Sequence, residues 1–423
     1  MARIKALDIA VPQGASGTLL KNSQFAFLRA DEQARHDVSL VMPAVHSPFV
    51  SNVLPPIFDM NVPEGYLADQ IKRRMAKHIQ VDEMRLLSLI GGNQIGRVDY
   101  HEPHASRNPR NAHLGLKDIL QREQSAEVFD FLVESYFDSG ISGVQPKVLV
   151  PDRDKVIGGR TTLLASDLIV KSGVDQYPGL AQNEFLCMAA AQRAGLDTPP
   201  FWLSDNGELF VMQRFDLAGD RRMGFEDIAV LLRLDKDPHD NYKYSQSYET
   251  VARVIGQLCS QAQPGRELAS FYTSFCLSVM VRNGDAHLKN YGLLYEHPGE
   301  RSSVRLSPAY DITTTSVYSH YSARMGREVA DRSLALKLNK RKDYPDRNEL
   351  LTFGSQHCLV RQPEKVIERV AQAMLETLAE HKPRIEPGLF MAMSKEWEAG
   401  IAMATHPGVK SPMRRRPVKP TLR

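Results

Sequence analysis

Two oxygen-bearing side chains, Asp285 and Asn290, lie five positions apart in the stretch Asn283-Gly284-Asp285-Ala286-His287-Leu288-Lys289-Asn290. That pairing suits one chemistry. The carboxylate accepts the proton of an attacking hydroxyl, and the amide oxygen holds a Mg²⁺ that bridges phosphate groups. A short loop can aim both at a single transferred phosphoryl group. Such a site calls for a second metal carboxylate beyond a hairpin, and Asp311, in Ser307-Pro308-Ala309-Tyr310-Asp311-Ile312, is placed for it. His287 either orients the aspartate or packs beneath the loop. Taken alone, the loop has a lesser alternative as a polar turn between two apolar segments.

Further parts lie upstream. Residues 139–147 run Ser-Gly-Ile-Ser-Gly-Val-Gln-Pro-Lys. This is a glycine-rich loop entering a strand, able to cradle phosphates on backbone N–H groups or to serve as an ordinary turn. Leu168-Ile169-Val170-Lys171 is a short apolar run ending in a lysine that could reach phosphates from a strand or sit solvated at its end. Glu184 follows near the start of a helical pattern, where it could pair with Lys171 or stabilise the helix N-terminus. Residues 209–216 read as a strand passing into a loop, matching a hinge between lobes. The order loop, lysine, glutamate, hinge, catalytic loop, metal aspartate is that of a protein kinase, and the ordered series says more than any member.

The elements that must position these residues are legible in part. Leu268, Phe271, Tyr272, Phe275, Cys276, Val279 and Met280 recur at helical spacing, so a core-facing helix delivers the catalytic loop from its C-terminal end. Asn283-Gly284 is the turn expected to break it. Residues 291–295 and 304–306 are expected to pair as a hairpin around His297-Pro298-Gly299. Val366, Ile367, Val370, Met374, Leu375 and Leu378 mark another amphipathic helix.

Upstream, residues 17–20, 25–28 and 38–42 read as strands. Residues 53–63, with three prolines, are excluded from regular helix. Residues 66–78, 85–90 and 125–134 read as apolar or helical elements, and 101–117 as a linker. The basic run at 72–78 reads as a solvated helix face, and the Pro-rich basic tail from Lys410 as disordered. The division expected is residues 1–100 as a small docking domain, 101–225 as an N-lobe with the glycine-rich loop and lysine, 226–400 as a helical C-lobe, and 401–423 as the tail.

With 423 residues, 42% hydrophobic and 24% charged, the chain can bury a large core. A net charge of +3 gives no global field for nucleic acid or membrane. Cys187, Cys259, Cys276 and Cys358 form no C-x-x-C pair and read as buried free thiols of a reducing cytosol. No stretch reaches membrane-spanning length, so a cytoplasmic location is expected.

Assembled, these residues resemble the HipA family of bacterial toxin serine/threonine kinases. The resemblance covers nearly the whole chain, through residues 38–43, 54–59, 141–147 and 283–290. It implies an α+β, protein-kinase-like, two-lobed fold with a small N-terminal α+β subdomain and a mainly helical C-lobe, binding ATP and Mg²⁺ between the lobes. It implies Asp285, His287 and Lys289 as the catalytic set and Asn290 and Asp311 as metal ligands. Ser142, Gly143, Val144, Gln145, Lys147, Lys171, Glu184, Gln213 and Phe215 become nucleotide-binding residues. It further implies autophosphorylation of Ser142, a HipB-like helix-turn-helix antitoxin through which DNA is met only indirectly, and a protein substrate such as an aminoacyl-tRNA synthetase. One departure stands out: some relatives carry two serines around the loop isoleucine, and here Gly140 replaces the first. A small-molecule kinase of aminoglycoside-phosphotransferase type and a catalytically dead co-repressor are the alternatives.

Overall fold

A computed structural model describes residues 3–43, 48–62, 81–91, 94–103, 116–121, 147–151, 166–172, 177–219, 221–237, 241–259, 261, 263–322, 327–330 and 332–408. The glycine-rich loop through Gln145, the expected helices at 66–78 and 125–134, the basic run at 72–78 and the tail from Lys410 lie outside these residues.

The N-terminal region is an antiparallel sheet of β1 (Ala6–Val11), β2 (Gly14–Lys21), β3 (Phe25–Arg29), β4 (Phe49–Ser51) and β5 (Asp99–His101), in the order β4-β3-β2-β1-β5. The expected strands at 17–20 and 25–28 fall within β2 and β3. β1 was not expected, although Leu7, Ile9 and Val11 alternate inward as a half-buried strand requires. Residues 38–42, expected as a strand, form turns instead. They are buried nonetheless, because Ser39 Oγ and Leu40 N–H donate to the Glu226 carboxylate, both at 2.7 Å, rather than to a neighbouring strand. The proline-rich segment also departs from expectation. It holds one helical turn, α1 (Pro56–Asp59), with Pro56 at the first helical position, where its missing N–H costs nothing. α2 (Glu83–Ile90) is capped by the Asp82 carboxylate, which accepts from Arg85 N–H at 3.0 Å. α3 (Leu116–Gln121) follows, taking in the end of the expected linker.

A second antiparallel sheet, order β6-β7-β9-β8, holds β6 (Lys147–Pro151), β7 (Ser166–Ser172), β8 (Phe201–Leu203) and β9 (Leu209–Gln213). Its period of two separates two hydrophobic cores. Leu168, Val170, Leu209 and Val211 pack with the core of the N-terminal sheet. Ile169, Phe210 and Met212 face the opposite way, into the core shared with α4 (Leu180–Arg193) and the helical region. Lys171 lies in phase with Ile169, so it too points away from the N-terminal sheet. That sheet therefore backs the wall from which the lysine projects.

After a two-residue ladder, β10 (Leu217–Ala218) and β11 (Arg221–Arg222), come β12 (Gly224–Asp227), β13 (Gly292–Tyr295) and β14 (Arg305–Leu306) as one small sheet. The expected hairpin is β13–β14, with Leu293 opposite Leu306. β12 on its other side was not expected. The helices are α5 (Ile228–Leu231), α6 (Tyr248–Leu258), α7 (Pro264–Met280), α8 (Arg347–Gln356), α9 (Pro363–His381) and α10 (Pro387–Thr405), with β15 (Ser319–Ser322) and β16 (Arg327–Ala330) as a further hairpin. Every member of the expected stripe on α7 is buried. On α9 the stripe holds except at Leu375, which is exposed because it sits one residue round from the buried Met374. All four cysteines are buried free thiols.

The N-terminal region also grips the link between the lobes. Gly96 N–H donates to Asp216 Oδ2 at 2.8 Å, and Arg214 Nη2 donates to Gln94 O at 2.7 Å. Glu226 is the deepest of these contacts. It is fully buried and accepts from Ser39, Leu40 and the Tyr295 hydroxyl, the last at 2.6 Å. Burial pushes its carboxyl upward, against the pull of those three donors.

Candidate active site

α7 ends in a two-bond C-terminal motif. Asn283 N–H donates to Ser278 O and Arg282 N–H to Val279 O, with Arg282 in the left-handed region at φ 60°. The break expected at Asn283-Gly284 is thus made by Arg282, at a cost of about 1–2 kcal/mol for a side-chain-bearing residue. The Arg282 guanidinium, 4.8 Å from the ring centre of Tyr344, makes a cation–π contact that works against this cost. Gly284 serves a different purpose: a Cβ there would lie 2.8 Å from Ser333 O. Its N–H donates to Thr315 Oγ1 at 2.7 Å, which in turn donates to Arg282 O at 3.2 Å.

The loop then unfolds residue by residue. Asn283 Oδ1 accepts from Asp285 N–H at 3.0 Å and leaves the Asp285 carboxylate exposed. Asn290 Oδ1 accepts from His287 N–H at 2.9 Å, tying the loop across its middle. The His287 ring is buried edge-on against Tyr244, with centroids 5.2 Å apart, and its Nδ1 has no hydrogen-bond partner among the described residues. Burial holds this imidazole down at about 4, so it is neutral at pH 7. The Lys289 carbonyl accepts from the Tyr310 hydroxyl at 2.8 Å, fixing the loop to the segment that carries Asp311.

β13 and β14 carry the chain back so that Asp311 meets Asn290: the Asn290 amide donates to Asp311 Oδ2 at 3.1 Å. The other Asp311 oxygen, Oδ1, lies 2.6 Å from Lys171 Nζ, and the same ammonium is paired with Glu184. Glu184 is the fifth residue of α4, whose N-cap is Gly179, so the helix-capping alternative for Glu184 falls away. Burial works against the charge on Lys171, but the carboxylates of Asp311 and Glu184 outweigh it and raise its pKa.

Asp311 has φ 60°, a strained value for a residue with a side chain, and the segment after it is clamped. Asn183 Nδ2 donates to Thr314 O at 3.0 Å, and Thr314 N–H donates to Asn183 Oδ1 at 2.7 Å. Trp397 Nε1 of α10 donates to Thr314 Oγ1 at 2.8 Å. Asn183 adjoins Glu184, so one helix turn holds both the carboxylate paired with Lys171 and the segment carrying Asp311.

Four residues separated along the chain, Lys171, Glu184, Asn290 and Asp311, thus form one connected cluster, with Asp285 exposed beside it. Lys147 pairs with Lys171 through the backbone of β6 and β7. Gln213 ends β9, its N–H bound to Pro200 O at 2.8 Å, and Phe215 stacks on Tyr310 with centroids 5.1 Å apart. Ser142, Gly143, Val144 and Gln145 lie outside the described residues. The sequence reading missed Tyr244, Asn183, Thr314, Thr315 and Trp397. Tyr244 lies in a polar stretch without periodicity and Trp397 on a helix like any other, so neither carries a local signal.

A sheet-built small lobe, a helical large lobe and this cluster between them define an α+β protein of the protein-kinase-like class. The chain belongs to the HipA family: residues 139–378, more than half of it, match the HipA-like C-terminal domain, and residues 7–101 match the HipA N-terminal domain. Among curated relatives, Putative kinase Y4dM of Sinorhizobium fredii is 28% identical over 353 residues, covering 75% of this chain and 79% of the relative. A Putative kinase of Haemophilus influenzae is 30% identical over 195 residues, covering 42% of this chain and 53% of that protein. Among solved structures, the Shewanella oneidensis MR-1 toxin–antitoxin complex of HipA, HipB and operator DNA aligns with TM-score 0.66 at 18% identity, covering 94% of this chain and 96% of that one. The two share a fold. No helix among the described residues is long and apolar enough to cross a membrane.

Proposed function

We propose that the protein is an ATP-dependent protein serine/threonine kinase and the toxin of a type II toxin–antitoxin pair. The observation that carries the kinase reading is the buried Lys171 ammonium between Glu184 and Asp311, with Asn290 on the second Asp311 oxygen. Glu184 keeps the lysine charged and aimed, so that Lys171 can meet the phosphates of ATP while Asp311 and Asn290 take a cation. In this reading residues 1–100 brace the N-lobe sheet, residues 101–225 supply the nucleotide lysine and loop, and residues 226–400 supply the catalytic loop.

The donor set fits Mg²⁺. Among the described residues no group of three or more His, Cys, Asp or Glu forms a cage that could hold a metal unaided. One carboxylate and one amide oxygen, completed by phosphates and water, is the usual provision for this ion in phosphoryl transfer. Asn290 Oδ1 accepts one bond from His287 N–H and retains a second lone pair. Bound there, the ion would neutralise charge on the phosphates.

Asp285 accepts the proton of the substrate hydroxyl as that oxygen bonds to the γ-phosphorus and the bond to ADP breaks. Lys171 orients the phosphates. His287, neutral and buried, packs beneath the loop and keeps it in shape. Ser142, in the glycine-rich stretch 139–147, is the autophosphorylation site in this reading. Added phosphate brings about −1.5 to −2 charges, which would repel the triphosphate. The Shewanella relative, solved with HipB and operator DNA, supports a HipB-like partner; in this reading that partner is a helix-turn-helix antitoxin through which DNA is met, and the substrate class is an aminoacyl-tRNA synthetase, as the resemblance to the family implies. The test is γ-labelled ATP with cell lysate, comparing wild type with Asp285→Asn. Label on a protein band that disappears in the variant is the expected result. Label that appears only on small molecules, or that persists in the variant, refutes the reading. Peptide mapping after incubation with Mg-ATP checks Ser142.

A further inference from the structure

We propose that Tyr244 is a positioning residue for the Asp285 carboxylate; this rests on the kinase reading and adds to it. Asp285 needs help of this kind. Its backbone is fixed through Asn283, but its side chain is exposed, and an exposed carboxylate rotates among rotamers unless something holds it. The Tyr244 hydroxyl donates to Asp285 Oδ1 at 2.7 Å. Among the described residues no other side chain is hydrogen-bonded to the carboxylate, so one oxygen is held and Oδ2 remains for the acceptor proton. That division separates positioning from obstruction, because a hydroxyl that merely blocked the site would have to claim the oxygen the substrate needs.

The tyrosine is itself well anchored. It belongs to a helical turn, Tyr242–Tyr244, whose Tyr242 N–H donates to Asp237 Oδ2 at 2.6 Å and whose Tyr242 carbonyl accepts from Ser245 Oγ at 2.7 Å. Its ring meets the buried His287 edge-on. His287 therefore supports the base indirectly: the neutral imidazole forms the floor on which the tyrosine stands. Lys243 and Lys342 place their ammonium groups 5.4 and 5.6 Å from the ring centre, which holds the ring from its faces.

Tyr244→Phe keeps the ring and its packing and removes only the hydroxyl. A hydrogen bond to a charged group, weakened here by exposure, corresponds to a fall in kcat of about tenfold. KM for ATP, nucleotide affinity and melting temperature stay at wild-type values, since none of these depends on the orientation of Asp285. The decisive measurement is a double-mutant cycle of phosphotransfer with Asp285→Ala. If Tyr244 acts through Asp285, Tyr244→Phe has no further effect once the carboxylate is gone. Wild-type or raised kcat in Tyr244→Phe, with transfer still lowered about 10²–10⁴-fold by Asp285→Ala, overturns the positioning role and leaves the kinase reading intact. An equal loss in both backgrounds makes Tyr244 merely structural and also overturns it. Phosphotransfer at the wild-type rate in Asp285→Ala overturns both.

Discussion

Replacing Lys171 by Met separates what the buried pair does for the fold from what it does for the nucleotide. The side chains of Lys171 and Glu184 are 3% and 1% exposed, whereas that of Asp311 is 27% exposed. Methionine fills the lysine stem but takes the Lys171 ammonium away from the buried Glu184 carboxylate, a loss of one side of a buried pair that costs about 3–5 kcal/mol. Asp311, reached by water, adds little. Lys171→Met should therefore lose about that much stability in urea unfolding at pH 7, together with nucleotide affinity. Adding Glu184→Gln removes the buried negative charge, so the double variant should recover at least about 2 kcal/mol of stability and none of the nucleotide affinity. The sign of the pH effect follows. In the wild type the two carboxylates raise the Lys171 pKa against its burial, so the stability the pair contributes is complete below the ordinary lysine pKa and is lost as pH rises through the raised one. A single variant as stable as wild type, or a double variant no more stable than the single, would refute the reasoning.

Asp285→Gln should lower phosphotransfer by about 10²–10⁴-fold while nucleotide affinity stays unchanged, and transfer at the wild-type rate excludes Asp285 as the base. Glu226→Ala strands the Ser39, Leu40 and Tyr295 donors and should cost about 3–5 kcal/mol in chemical denaturation. A loss under about 1 kcal/mol would mean the contact between the N-terminal region and β12 carries little. His287 is neutral in the fold, held down to about 4 from an ordinary 6.5. Its contribution is complete above about pH 6.5 and is lost as pH falls toward 4, up to about 3 kcal/mol, and that slope should vanish in His287→Leu.

The chemistry of the candidate site was readable because it is local. Asp285 and Asn290 share one loop, and the seven-residue apolar stripe on α7 declares at helical spacing the helix that delivers it. The β13–β14 hairpin, which returns Asp311 to Asn290, is equally local, since its turn and both strands lie within one short stretch. Lys171 and Glu184 could be suspected from their elements, but their joining could not. It requires β7 to present Lys171 on the face opposite Leu168 and Val170, and α4 to pack over that face.

Only the tertiary structure could decide between capping and pairing for Glu184, because a carboxylate near a helix start satisfies both rules until its partner is known. The same holds for residues 38–42, whose β-branched and apolar character signals a strand. Their donors go instead to Glu226, almost two hundred residues away, and no window of sequence contains that carboxylate. Tyr244 is the extreme case. A lone tyrosine in an aperiodic polar stretch acquires meaning only because α6, α7 and the catalytic loop fold its hydroxyl onto Asp285. Spacing along a chain encodes contacts made within one element or one turn; contacts between elements depend on how their buried faces pack.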